Sequence, residues 1–187
     1  MNAISDISVL ASIHSKWCKK IFDGEKLVEI RKSRPKLEPP FKMYIYCTKP
    51  SKTCQTISGS MVINTDELFR LPDGALKHDW SGELMVHPSD AWGPDNYLNG
   101  KVIGECVCDK IDAFQVFEDG RVQNWLWLDL DRACISYETL AEYVGAGKTG
   151  YAWHLSRPAL YDKPLPITDF LPKPPQSWCY VSAPRTS

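Results

Sequence analysis

The sequence predicts a mixed α+β fold: a small closed or nearly closed β-barrel flanked by short helices. Two observations carry this. About five to seven short segments alternate apolar and polar residues, as half-buried strands do, and only two segments carry an apolar stripe at helical spacing. Short strands in that number with so few helices suit a small barrel.

The elements follow in order. Residues 8–13 (SVLASI) read as the first strand. Residues 15–24 (SKWCKKIFDG) read as a short helix, with Ser15 as its cap. Trp17, Cys18, Ile21 and Phe22 form its apolar stripe, and Gly24 sits just past its end, where a left-handed residue is wanted. Residues 23–32 (DGEKLVEIRK) carry six charges in ten residues, yet read as a strand. Alternation turns Val28 and Ile30 into the core and Glu29 and Arg31 the other way, into a cleft, with Lys26 at the rim. The Pro-rich RPKLEPP leads to a third strand, FKMYIYCT.

Residues 48–100 change character and read as an insertion packed by Trp80, Trp92 and Tyr97, with a strand and a helical turn in MVINTDELFRL. Asn99 and Gly100 mark a tight turn, and KVIGECVCDKI is the strand after it. On that strand Val102, Gly104, Cys106 and Cys108 share one face, and Ile103, Glu105 and Val107 share the other. Glu105 lies between apolar neighbours, so it is either paired or shifted in pKa. DAFQVF continues the sheet after a bend. ISYETLAEYVG is a helix capped by Ser136 and stopped by Gly145. YAWHL is a strand, PALYDKPLPITDF an extended return, and SWCYV the last strand.

The 187 residues suit one domain, 1–187, with the insertion at about 48–100. No stretch approaches the roughly 20 apolar residues of a membrane span, and MNAISDISVL lacks the basic start and apolar run of a signal peptide. A soluble cytoplasmic protein is expected. The seven cysteines form no C-x-x-C pair and the four histidines no ligand spacing, so neither a metal nor a cofactor is expected. GAGKTG at 145–150 resembles a P-loop only in part: Glu142 stands where the pattern needs glycine, and the segment follows a helix. Residues 14–43 hold nine Lys and Arg against four acids, a net +5 on a chain of net −1. Such a zone can meet a phosphate backbone.

GEKLVEIR fits G-x-K-x-x-E-x-R at Gly24, Lys26, Glu29 and Arg31, and resembles the signature of the ASCH family in the PUA-like superfamily. The flanking strands over 8–47 and 101–181 are similar to those of its longer members, found in bacteria and their phages. The resemblance implies a small mixed PUA-like β-barrel with flanking short helices and a cleft beside the motif. It also implies an RNA or nucleoside-like ligand. Small relatives hydrolyse the acetyl amide of 4-acetylcytidine, and a relative has ribonuclease activity.

In the binding reading, Lys26 and Arg31 supply positive charge, and Arg31 forks onto phosphate or carboxylate. Glu29 holds the guanidinium or accepts from a base amino group. Lys32, with Arg34 and Lys36, guides the strand backbone, and His14 offers a polar contact at a strand end. Trp17, Tyr46, Trp153 or Trp178 gives a base a stacking face, at least two of the four being core. In the enzyme reading, an amidohydrolase on an acetylated cytidine or a metal-free ribonuclease uses Lys26, Glu29 and Glu105 for acid–base work. The small deacetylating relatives carry threonine where this chain has Glu29, which counts against that chemistry. A third reading is a module that recruits a protein partner through 48–100. The sequence favours binding.

Overall fold

The alternating segments pair into one mixed sheet in the computed structural model, which describes residues 7–48, 53–55, 62–64, 98–123 and 128–184. The strands are β1 (Ile7–Ile13), β2 (Val28–Arg31), β3 (Phe41–Cys47), β4 (Thr53–Gln55), β5 (Val62–Asn64), β6 (Lys101–Gln115), β7 (Thr149–Pro166) and β8 (Trp178–Ser182). The helices are α1 (Ser15–Phe22), α2 (Leu130–Ala133) and α3 (Tyr137–Val144). Six strands run in the order β2-β7-β6-β3-β1-β8, while β4 and β5 pair separately. Only β1 and β3 are parallel within the large sheet. Its end strands β2 and β8 do not pair, so of the two expected forms, closed and nearly closed, the sheet is not the closed one, and a seam separates its edges. The expected packing residues Trp80, Trp92 and Tyr97 lie outside the described residues. Among the described residues no helix is long and apolar enough to cross a membrane.

Each face of the sheet buries its own apolar set. Val9, Ala11, Met43, Ile45, Cys106 and Trp153 pack with α1 in the largest cluster. Val28 and Ile30 pack with Phe114, Leu140, Val144 and Ala152, beneath α3. Leu10, Tyr44, Tyr46, Val102 and Val181 form a third cluster. Each fully buried aliphatic side chain contributes about 1.5–3 kcal/mol, so β2 is held by its apolar face while its charged face is left for other work.

Local chemistry explains the helix ends. Gly24 has φ +78°, the left-handed turn that releases the chain from α1 into β2. Ser136 caps α3 by accepting from the Thr139 N–H at 3.2 Å. The expected cap at Ser15 is shifted: Ser15 is the buried first residue of α1, and His14 holds the cap position without a side-chain bond. The four-residue α2 is shorter than the spacing that reveals a helical stripe, and Asp129 caps it through the Arg132 N–H.

Strands β6 and β7 are longer than the short runs read from the sequence, at 15 and 18 residues. Register shifts between Val102/Gly104, Glu105/Val107 and Cys108/Lys110 bend the pair. Such breaks disturb strict alternation, so Ile103 joins Cys106 and Cys108 in the main core rather than facing away from them. Every cysteine whose side chain is described is a free thiol, and burial holds Cys108 protonated by pushing it up to about 12.

Gly104 carries α1 onto this pair. A Cβ there would run into the Ala159 carbonyl oxygen and stand 2.7 Å from Phe22 Cζ. Gly104→Ala is therefore expected to lower stability by about 1–3 kcal/mol through overpacking. Urea unfolding at constant m-value checks this, and an unchanged midpoint would show that the two elements separate freely.

Candidate functional site

The charged face of β2 opens into a cleft of about 710 Å³. Its lining comes from the end of β1 (Ser12), from α1 (Trp17), from β2 (Glu29, Arg31), from α3 (Thr139, Tyr143) and from the approach to β8 (Ser177). It reaches solvent past the exposed His14, Lys32 and Ser33. The cleft thus sits at the seam where the two sheet edges fail to pair.

Its floor is a buried ionic network. Lys26, Glu29 and Arg31 are only 4%, 8% and 6% exposed, so Lys26 lies in the floor rather than at the expected rim, drawn in by two backbone carbonyls. Lys26 Nζ donates to Val28 O at 2.9 Å and Ala133 O at 2.6 Å, and lies 3.4 Å from Glu29 Oε2. Two of its three N–H groups are thus committed to carbonyls, and the contact with Glu29 is Coulombic. Its ammonium also lies 5.0 Å from the centre of the Trp17 ring. Arg31 reaches across the seam: Nη1 donates to Ser177 O at 3.2 Å and Ser177 Oγ at 3.1 Å, and Nη2 to Ser12 O at 2.9 Å. Arg31 Nε stands 3.0 Å from Glu29 Oε1. Its N–H is not aimed at that oxygen, so the contact is Coulombic rather than a directed hydrogen bond. Glu29 thus sits between two buried cations, and the guanidinium ties β2 to β1 and to the start of β8.

Exposed lysines lie over two of the lining aromatic rings. Lys16 Nζ is 4.5 Å from the Trp17 ring centre, and Lys32 Nζ is 4.9 Å from that of Tyr143. Burial pushes the Tyr143 phenol up. His14 Nδ1 is 3.2 Å from Thr48 Oγ1.

Lys26, Glu29, Arg31, Lys32 and His14 therefore meet in one cleft, together with Trp17. Four residues expected at the site do not line it. Tyr46 packs in the third cluster, and Trp153 is fully buried in the main core. Trp178 packs on Trp153 and donates from Nε1 to Ser33 Oγ at 3.0 Å, just behind the rim. Glu105 pairs across to Tyr44 on β3, and Tyr44 belongs to the third cluster. Its partners are Lys42 Nζ at 2.9 Å and Tyr161 Oη at 2.6 Å. Burial raises the Glu105 pKa, but the Tyr161 and Lys42 hydrogen bonds outweigh it, and the group lies below its ordinary value.

That depression fixes a sign. A carboxyl with a lowered folded pKa stabilises the fold above its unfolded value of about 4.3. The contribution is lost as pH falls through the lower, folded value. Glu105→Gln is therefore expected to lose stability at pH 7 and to converge on the parent at pH 2–3. Paired urea titrations read this, and a gap that widens in acid would contradict it.

The sheet order, its seam and the flanking short helices define an α+β fold built on one open mixed sheet. Crystal structures of an ASCH protein from Zymomonas mobilis share it. One is 18% identical to this chain, covers 92% of it and 86% of its own length, and superposes with a TM-score of 0.53. A Tyr-to-Phe variant of the same protein gives 18%, 92%, 88% and 0.54, and a Ser-to-Ala variant gives 18%, 92%, 87% and 0.53. No family model matches the chain, and no curated protein is significantly similar to it.

Proposed function

We propose that this chain is an ASCH-type domain whose seam cleft binds single-stranded RNA or a nucleoside-like ligand. The observation that carries the reading is the cleft itself. It combines a buried charged floor, aromatic side chains from two helices, exposed Lys32 at the mouth and Lys16 over the Trp17 ring. Its volume of about 710 Å³ falls within the roughly 300–1,000 Å³ of small-ligand sites. The G-x-K-x-x-E-x-R residues supply the floor, and the basic zone around them supplies attraction for a backbone.

The state of Lys26 favours binding over turnover. An amine that donates to two carbonyls and faces a carboxylate is placed as a fixed cation. A nucleophile or base needs a free lone pair directed at the substrate. Labelled single-stranded RNA titrated at two salt concentrations tests the reading. Affinity should fall as salt rises, with a logarithmic slope of about 0.7 per phosphate neutralised. In parallel, 4-acetylcytidine should survive incubation with the protein. Fast deacetylation abolished by Lys26→Ala would replace the binding reading with an amidohydrolase. No binding at low salt would remove the RNA reading.

A further inference from the structure

We infer that the cleft takes its ligand base first and selects bases bearing an exocyclic amino group, with Glu29 as the acceptor and phosphates confined to the rim. This rests on the nucleic-acid reading above and specifies the ligand.

The donors on the floor are largely committed and its acceptor is not. Two cations there suggest an anion site, but few of their hydrogens are free. Two of the Lys26 N–H groups are held by carbonyls, and the ammonium lies 3.4 Å from the Glu29 carboxylate, which an incoming phosphate would have to displace. Three Arg31 N–H groups point at Ser177 and Ser12, and the buried Nε–H lies against Glu29. One guanidinium N–H is left, which cannot make the two-pronged grip that arginine uses on phosphate. A phosphate on the floor would have to break one of these bonds and sit against the Glu29 carboxylate.

Glu29 has capacity to spare. Each of its oxygens faces one cation, whereas a carboxylate offers about four lone-pair sites. It lines the cleft while 8% exposed. What the floor offers an incoming ligand is therefore an acceptor, and the complementary group is an N–H donor. Cytosine and adenine present an exocyclic amino group that a carboxylate accepts from. Uracil presents carbonyl oxygens on either side of its single N–H. Those oxygens would oppose Glu29 with almost no free donor to receive them. Unspent positive charge lies higher, on Lys16 over Trp17 and Lys32 over Tyr143. Neither lysine has a carboxylate partner among the described residues. They are placed to hold the phosphates that flank an inserted base.

The test uses the full wild-type chain, so that it does not depend on the folding of a floor variant. Cytidine, uridine and N4,N4-dimethylcytidine are titrated by calorimetry, and short oligo(C) and oligo(U) by fluorescence anisotropy at low salt. Cytidine is expected to bind at least about tenfold more tightly than uridine or the dimethylated nucleoside, which has no amino N–H. Oligo(C) should outbind oligo(U) by a similar factor. Lys16→Ala/Lys32→Ala should weaken the oligonucleotide by a larger factor than it weakens cytidine, and an equal loss for both would place the phosphates elsewhere than the rim. If dimethylcytidine or uridine binds as tightly as cytidine, or oligo(U) matches oligo(C), the inference is wrong and the RNA reading stands. If neither oligonucleotide binds, both fall together.

Discussion

Glu29→Ala is expected to cost about 3–5 kcal/mol of stability, the range for breaking a buried ionic network by removing one partner. The substitution leaves Lys26 and Arg31 facing each other at 4% and 6% exposure, with no carboxylate between them. Neither cation can move to water without giving up its carbonyl partners: Val28 and Ala133 for the lysine, Ser12 and Ser177 for the arginine. Glu29→Gln keeps the shape and an acceptor oxygen but removes the charge, so its loss should be smaller. Urea unfolding of the two variants measures both. A Glu29→Ala loss within about 0.5 kcal/mol, the level of ordinary surface changes, would mean that the network is hydrated and the cleft floor is not buried.

Arg31→Ala is the second large effect, and it acts on the seam. The end strands of the sheet are not hydrogen-bonded to each other, and the guanidinium supplies a bridge from β2 to β1 and to the residue preceding β8. Loss of even one hydrogen bond to a charged group costs about 1.5–3 kcal/mol, and this side chain makes three. Arg31→Lys should not rescue it, because one ammonium cannot hold two separated strands as a planar fork does. Hydrogen exchange should speed up first in β2 and β8 and leave the β6–β7 pair protected. Uniformly faster exchange, or rescue by lysine, would show that the seam is held by something else.

Much of this architecture was legible in the chain because it follows from alternation. Strands β1 and β3 sort their alternate residues into two clusters, with Val9, Ala11, Met43 and Ile45 in one and Leu10, Tyr44 and Tyr46 in the other. The charged strand β2 follows the same rule, with Val28 and Ile30 packed beneath α3 and Glu29 and Arg31 in the cleft. What was not legible has physical causes. The length of β6 and β7 was hidden by register shifts that break the period. Alternation also does not say which sheet face carries the cleft. Glu105 and Tyr46 are therefore as plausible as Glu29 until strand pairing places them with the Tyr44 cluster. The grip of Arg31 on Ser12 and of Lys26 on Ala133 uses backbone carbonyls, which every residue type offers, so no side-chain pattern announces it. Thr139 and Tyr143 did leave a signal: they stand four apart on α3 and so share the face that lines the cleft.

Amide and indole chemical-shift mapping during titration with single-stranded RNA locates the binding surface residue by residue. The shifts are expected to concentrate at Trp17, Lys32, Thr139, Tyr143 and Ser177, and to saturate together. Residues around Tyr44, Glu105 and Tyr161 should stay unmoved. Shifts centred on that second group, or none at saturating RNA, would contradict the claim that the seam cleft is the binding site.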